Sequence, residues 1–161
     1  MLTEWVEDFS GASRRLFTSD KQVANGALTV MDVSELKGVS HELAAALHAL
    51  GLGNTAQLLA AIGHPAARAE LAAALGVECG LLVGLANRAD LLRIPGLDEV
   101  DADMLALAGV DSVAELRRRI PENLYAKLIL VAAHHHLSTL PRLDELQHWV
   151  QGARQLERVV Y

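Results

Sequence analysis

The sequence predicts an all-α fold, a compact bundle of two helix-hairpin-helix-like repeats closed by a C-terminal packing helix. Three observations carry that reading. Of its 161 residues 52% are hydrophobic but only 4% aromatic, so Ala, Leu and Val dominate the apolar content. Ala and Leu are strong helix formers, and small side chains let helix axes approach closely. Two segments also align without a gap: LKGVSHELAAALHALGLGNTAQL from Leu36 and IPGLDEVDADMLALAGVDSVAEL from Ile94, an offset of 94 − 36 = 58 residues. Finally, Gly and Pro fall where helices are expected to stop and start.

The first element, residues 1–30, is expected to be an amphipathic segment followed by a linker. Trp5, Val6, Phe9, Leu16 and Phe17 supply its apolar side. Its mixed charges do not make the basic face that a membrane surface attracts. Asn25 to Met31 reads as linker or a short extended piece. Residues 31–86 form the first expected repeat. Gly38 suits a tight turn, Ser40 an N-cap and Gly51 a left-handed C-cap. Asn54 is placed to cap the next short helix, and Pro65 to open a longer one that Gly76 closes.

Residues 87–161 repeat the scheme. Gly96 corresponds to Gly38, Asp98 to Ser40 and Gly109 to Gly51. Asp111 or Ser112 caps a short helix, and Pro121 opens ENLYAKLILVAAHHHL. Pro141 is expected to begin a last helix, with Leu143, Leu146, Trp149, Val150, Ala153 and Leu156 along one stripe.

The stretch NRADLLRIPGLDEVDADMLALAGVDSVAELRRRIPENLYAKL, with LPRLDELQHWVQGARQL after it, resembles the bacterial family termed domain of unknown function 4332. The resemblance spans Ser34 to Leu156 and is strongest from Asn87 to Leu128. It implies tandem helix-hairpin-helix-like units, and through them an analogy with DNA-binding hairpins.

In such DNA-binding modules the hairpin reads Gly-apolar-Gly, and its turn and helix N-terminus direct N–H groups at a backbone phosphate. Here Ser40 and Asp98 stand at the second glycine. Lys37, Gly38, Ser40 and Gly96 are the candidate phosphate contacts. The second hairpin is disfavoured by Asp98, Glu99, Asp101 and Asp103, read as solvent-facing carboxylates at a helix start, where the dipole favours them. A net charge of −6 also lowers the expectation of nucleic acid, whose affinity for proteins draws mainly on Lys and Arg.

The remaining chemistry-bearing residues predict little catalysis. Arg117, Arg118 and Arg119 spread over roughly 200° of helix arc and are expected at a solvated helix end. Consecutive histidines also diverge on a helix, so His134, His135 and His136 are read as a polar terminus, with no metal expected. His41 and His48 lie too far apart along a helix to chelate together. Cys79 stands alone in an apolar stretch and is read as a buried small hydrophobe. No nucleophile motif or phosphate-cradling glycine loop of the nucleotide-binding type is present. The expectation is a non-enzymatic binding module without cofactor, cytoplasmic and away from membranes. Its partner is a protein or a second copy of the chain through Trp5, Phe9 and Phe17, the alternative being nucleic acid at the first hairpin.

Overall fold

The computed structural model describes residues 30–161; Trp5, Phe9, Phe17 and the linker before Val30 lie outside them. Among the described residues a 3-10 turn, Val33–Glu35, precedes eight helices and there is no strand. The helices are α1 (His41–Ala49), α2 (Thr55–Ile62), α3 (Pro65–Leu75), α4 (Cys79–Leu91), α5 (Glu99–Leu107), α6 (Val113–Leu116), α7 (Pro121–His135) and α8 (Leu143–Gln155).

Local chemistry accounts for most of these boundaries. Ser40 is extended, and its Oγ accepts from Leu43 N–H at 3.1 Å to start α1. Asp98 starts α5 through a reciprocal box: its carboxylate accepts from Asp101 N–H at 2.9 Å, and the Asp101 carboxylate accepts from Asp98 N–H at 3.2 Å. Each interaction satisfies a backbone donor that the helix start leaves without an intrahelical partner. Asn54 and Ser112 cap α2 and α6 in the same manner, so Ser112, and not Asp111, fills that role.

The ends of α1 and α5 are also alike. Gly51 and Gly109 take φ of 76° and 82°, which lets Leu52 N–H reach the Leu47 carbonyl and Val110 N–H reach the Leu105 carbonyl. This is the Schellman arrangement, and only glycine adopts that φ without strain. Pro65 and Pro121 open α3 and α7 as expected. Pro141 does not open α8, because the helix begins at Leu143 and Arg142 occupies the N-cap position. The Glu145 carboxylate accepts from the Arg142 N–H at 2.7 Å and sets that start beyond the proline.

One hydrophobic cluster joins the whole described chain. Leu36, Leu47, Leu58 and Ile62 from the first half meet Leu91, Ile94, Leu105, Leu116, Leu128 and Leu146 from the second, all almost wholly buried. Helix α4 holds the halves together: it packs on α2, α3 and α6, while α8 packs on α6 and α7. The division expected between residues 86 and 87 therefore falls inside α4, whose Ala86 and Ala89 both belong to the shared core. The expected stripe of α8 is buried at Leu146, Trp149, Val150 and Ala153.

The chain entering the bundle is pinned by Asp32, whose carboxylate accepts from Ser34 N–H at 2.9 Å and Ser34 O–H at 2.6 Å and lies 3.1 Å from His48 Nε2. The Ser34 hydrogen bonds, with a smaller contribution from His48, bring the Asp32 pKa from 3.8 to about 2. A carboxyl held below its unfolded value stabilises the fold above that value, and the contribution disappears as pH falls through the folded one. The stability gap between the wild type and Asp32→Asn, measured by urea denaturation, is therefore expected to be full above 3.8 and to close by about pH 2. A gap that stays constant across that interval contradicts the assignment.

Candidate functional site: the paired hairpins

The two hairpins are built alike. In the first, Val39 N–H returns to the Leu36 carbonyl at 3.1 Å; in the second, Leu97 N–H returns to the Ile94 carbonyl at 3.2 Å. Gly38 and Gly96 sit at the turns with φ of 95° and 82°, in the region L side chains avoid. Ser40 is engaged as the cap of α1, and a Cβ placed on Gly96 would lie 3.8 Å from Trp149 Nε1, so α8 backs the second turn.

Charged groups of α4 and α5 surround the first hairpin. Lys37 N–H donates to Glu99 Oε1 at 3.2 Å, and Lys37 Nζ pairs with Asp103 Oδ2 at 2.8 Å. Arg88, on α4, grips the same two carboxylates, Glu99 Oε2 and Asp103 Oδ1, each at 2.5 Å. Two cations and two carboxylates thus form a neutral cluster between the hairpins. The Asp103 side chain is 5% exposed and that of Arg88 13%, so these pairs are shielded from the screening that weakens surface ion pairs. A backbone donor and the ammonium that a phosphate would seek at the first hairpin are already held by α5.

The carboxylates of α5 are therefore not the solvated face expected of them: as whole residues Asp101 is 2% exposed and Asp103 3%. Asp101 closes the capping box and Asp103 faces Arg88 and Lys37. Nothing in the local spacing marks Arg88 as their partner. It lies 11 residues before Glu99 and 15 before Asp103, and only the α4–α5 turn brings them together.

The other candidates resolve individually. Cys79 is exposed at the first turn of α4, contrary to the burial expected from its apolar neighbours. Arg117 is the C-cap of α6 and Arg118 and Arg119 follow it, so the run lies at a helix end with Arg118 exposed, while Arg117 and Arg119 are engaged. Arg117 Nη2 donates to the Arg154 carbonyl, Arg154 Nε returns to the Arg117 carbonyl, and Arg119 Nη2 reaches the Gly109 carbonyl and Glu115. His41 and His48 do not converge, since His48 turns to Asp32. At the end of α7, His134 and His135 meet edge to face at 4.9 Å and His136 takes a left-handed φ of 54°. Among the described residues no three His, Cys, Asp or Glu side chains are placed to share a metal ion. None of the described helices is long and apolar enough to cross a membrane.

Residues 37–156 match the family model described as Domain of unknown function (DUF4332), well over half of the chain. The chain belongs to the DUF4332 family. No curated protein and no solved structure matches it. The DUF4332 span opens on Lys37 and closes on Leu156, so it contains both hairpins, the whole charge cluster and α8, while Arg158 and Tyr161 lie beyond it.

Proposed function

We propose that this DUF4332 protein is a non-catalytic protein-interaction module in which the hairpins brace the bundle from within. The observation that carries the reading is the Lys37–Glu99–Arg88–Asp103 cluster, which engages at the first hairpin the groups a nucleic acid phosphate needs. The alternative, nucleic acid at Lys37, Gly38, Ser40 and Gly96, draws its support from the turn geometry alone.

Helix α7 supplies the surface. Its inner side buries Leu124, Leu128 and Ala132, yet Ile129 is 45% exposed and Leu130 71%. Exposed Ala126 and Ala133 continue that outer stripe at helical spacing. An amphipathic helix suits such a face. Both phenylalanines of the chain and one of its two tryptophans stand at Phe9, Phe17 and Trp5, ahead of the bundle. The occupant that fits is residues 1–20 of a second copy, each copy offering its segment to the other's α7 in an isologous dimer.

Light scattering of the purified chain tests this. The full chain is expected to be a dimer, and both Leu130→Glu and removal of residues 1–20 are expected to give monomers. A monomeric full chain, or a Leu130→Glu dimer, contradicts the reading.

A further inference from the structure

A pocket of about 240 Å³ opens between α3, α4, α6 and the C-terminal segment, away from the hairpins and from the outer face of α7. Its wall includes Arg68, Arg117, Arg158, Asn87 and Ser112, with Val83 and Val160 as an apolar portion. Three guanidinium groups at one cavity are unusual in a chain of net charge −6, because carboxylates are in excess.

The abundant carboxylates are nonetheless directed elsewhere. Among the described residues Arg88, Arg93, Arg119 and Arg142 each pair with an Asp or Glu side chain, Arg68 meets the α-carboxyl oxygen of Tyr161, and Arg117 and Arg158 pair with no carboxylate. Asp90, the carboxylate on the pocket wall, is taken by Arg93 Nε at 2.8 Å and Nη2 at 2.5 Å. Arg68 is only 6% exposed, and its partners are main-chain oxygens: the carbonyls of Ile62 and Gly63 for Nη1, each at 2.9 Å, and the α-carboxyl oxygen of Tyr161, the last residue, for Nη2 at 2.5 Å. Its Nε is buried with no acceptor. Of its five donors one is therefore left over.

The second and third guanidiniums are held in place with donors to spare. Arg117 spends Nη2 on the Arg154 carbonyl, and Arg158 spends Nε on the Val160 carbonyl while lying 4.8 Å over the Tyr161 ring. Tyr161 is itself stacked on His64 at 4.6 Å and ties its N–H to the Gly63 carbonyl at 2.9 Å, which fixes that side of the pocket. A Cβ on Gly63 would run into the Val159 carbonyl oxygen, so glycine is what lets this segment close down on α2 and α3.

We propose that this pocket binds a phosphate group, either the free ion or the head of a small phosphorylated molecule whose organic part rests on Val83 and Val160. Guanidinium groups match phosphate oxygens through paired donors. Three of them, with the Asn87 amide and the Ser112 hydroxyl, offer more donors than the two oxygens of one carboxylate use, and the two charges of Arg117 and Arg158 suit a dianion. The inference is independent of the dimer reading, since no residue of α7 lines the pocket.

The test is calorimetric titration of the full chain with inorganic phosphate and, separately, with phenyl phosphate, in phosphate-free buffer at fixed ionic strength. Saturable binding is expected. Tighter binding of phenyl phosphate assigns a phosphorylated molecule as the ligand, and equal or weaker binding assigns the free ion. Arg117→Gln and Arg158→Gln, each checked for retained helix content, are expected to weaken binding roughly tenfold through a lost charge-assisted contact. Arg118→Gln, whose exposed side chain lies outside the wall, is expected to leave it unchanged. Absence of saturable binding to both probes, or binding indifferent to Arg117→Gln and Arg158→Gln, overturns the proposal.

Discussion

Replacing Asp103 by alanine is expected to lower the free energy of unfolding by about 3 kcal/mol, at the low end of the cost of removing one partner from a buried ion pair. Asp103 serves two cations. Lys37 Nζ, with a side chain 33% exposed, can return to water when its partner goes. Arg88, at 13%, has less access to solvent and keeps only Glu99 of its two carboxylates. The loss therefore comes mainly from an undercompensated guanidinium on α4, with a smaller share from the released lysine. Urea denaturation followed by circular dichroism measures it, with an unchanged slope showing that the unfolded state is not what moved. A loss under about 1 kcal/mol, the range of exposed pairs, contradicts a buried cluster.

Leu47→Ala is expected to cost about 2–5 kcal/mol in the same measurement. Leu47 is 0% exposed on the inner side of α1, and its carbonyl also accepts the Schellman hydrogen bond from Leu52, so the helix end holds that backbone in place. A backbone so fixed gives little room for collapse around the shortened side chain, and cavities that cannot collapse are the costly ones. Because one hydrophobic cluster spans both halves, the variant should still unfold in a single transition. Two resolved transitions would show that the halves are independent units.

What the sequence made legible was chemistry that acts within a few residues. Ser40, Asp98 and Asn54 are caps because their side-chain oxygens reach backbone donors three positions ahead, and Gly51 and Gly109 end helices because of their own φ. Such interactions need no knowledge of the tertiary fold. The start of α8 shows the limit even locally: Pro141 looks like a first helical residue, but the Glu145 carboxylate and the Arg142 N–H set the boundary beyond it.

The site depends on longer-range pairing, and there the sequence misled. Four acids at a helix start read as a solvated cluster, because the helix dipole alone accounts for them. Two of them, Glu99 and Asp103, pair with Lys37, 66 positions from Asp103, and with Arg88 on the preceding helix, and only packing of α4 and α5 beside the first hairpin makes the pairing visible. The same reason hid the arginine pocket: Arg68, Arg117 and Arg158 share no periodicity and meet through the C-terminal segment folding back. Cys79 failed in the opposite direction. Its apolar neighbours suggested burial, but at the first turn of α4 the side chain faces outward.

The α5 carboxylates hold the Lys37 N–H and ammonium at the first hairpin, and the proposed preference for a protein partner rests on that. Backbone amide NMR of Lys37 through Leu43, recorded while duplex DNA is titrated in at low salt, tests it most directly. These amides are expected to keep their positions, with Lys37 N–H still held by Glu99. Saturable, salt-sensitive shifts centred on Lys37 and the first turn of α1 would contradict it and return the hairpin to nucleic acid.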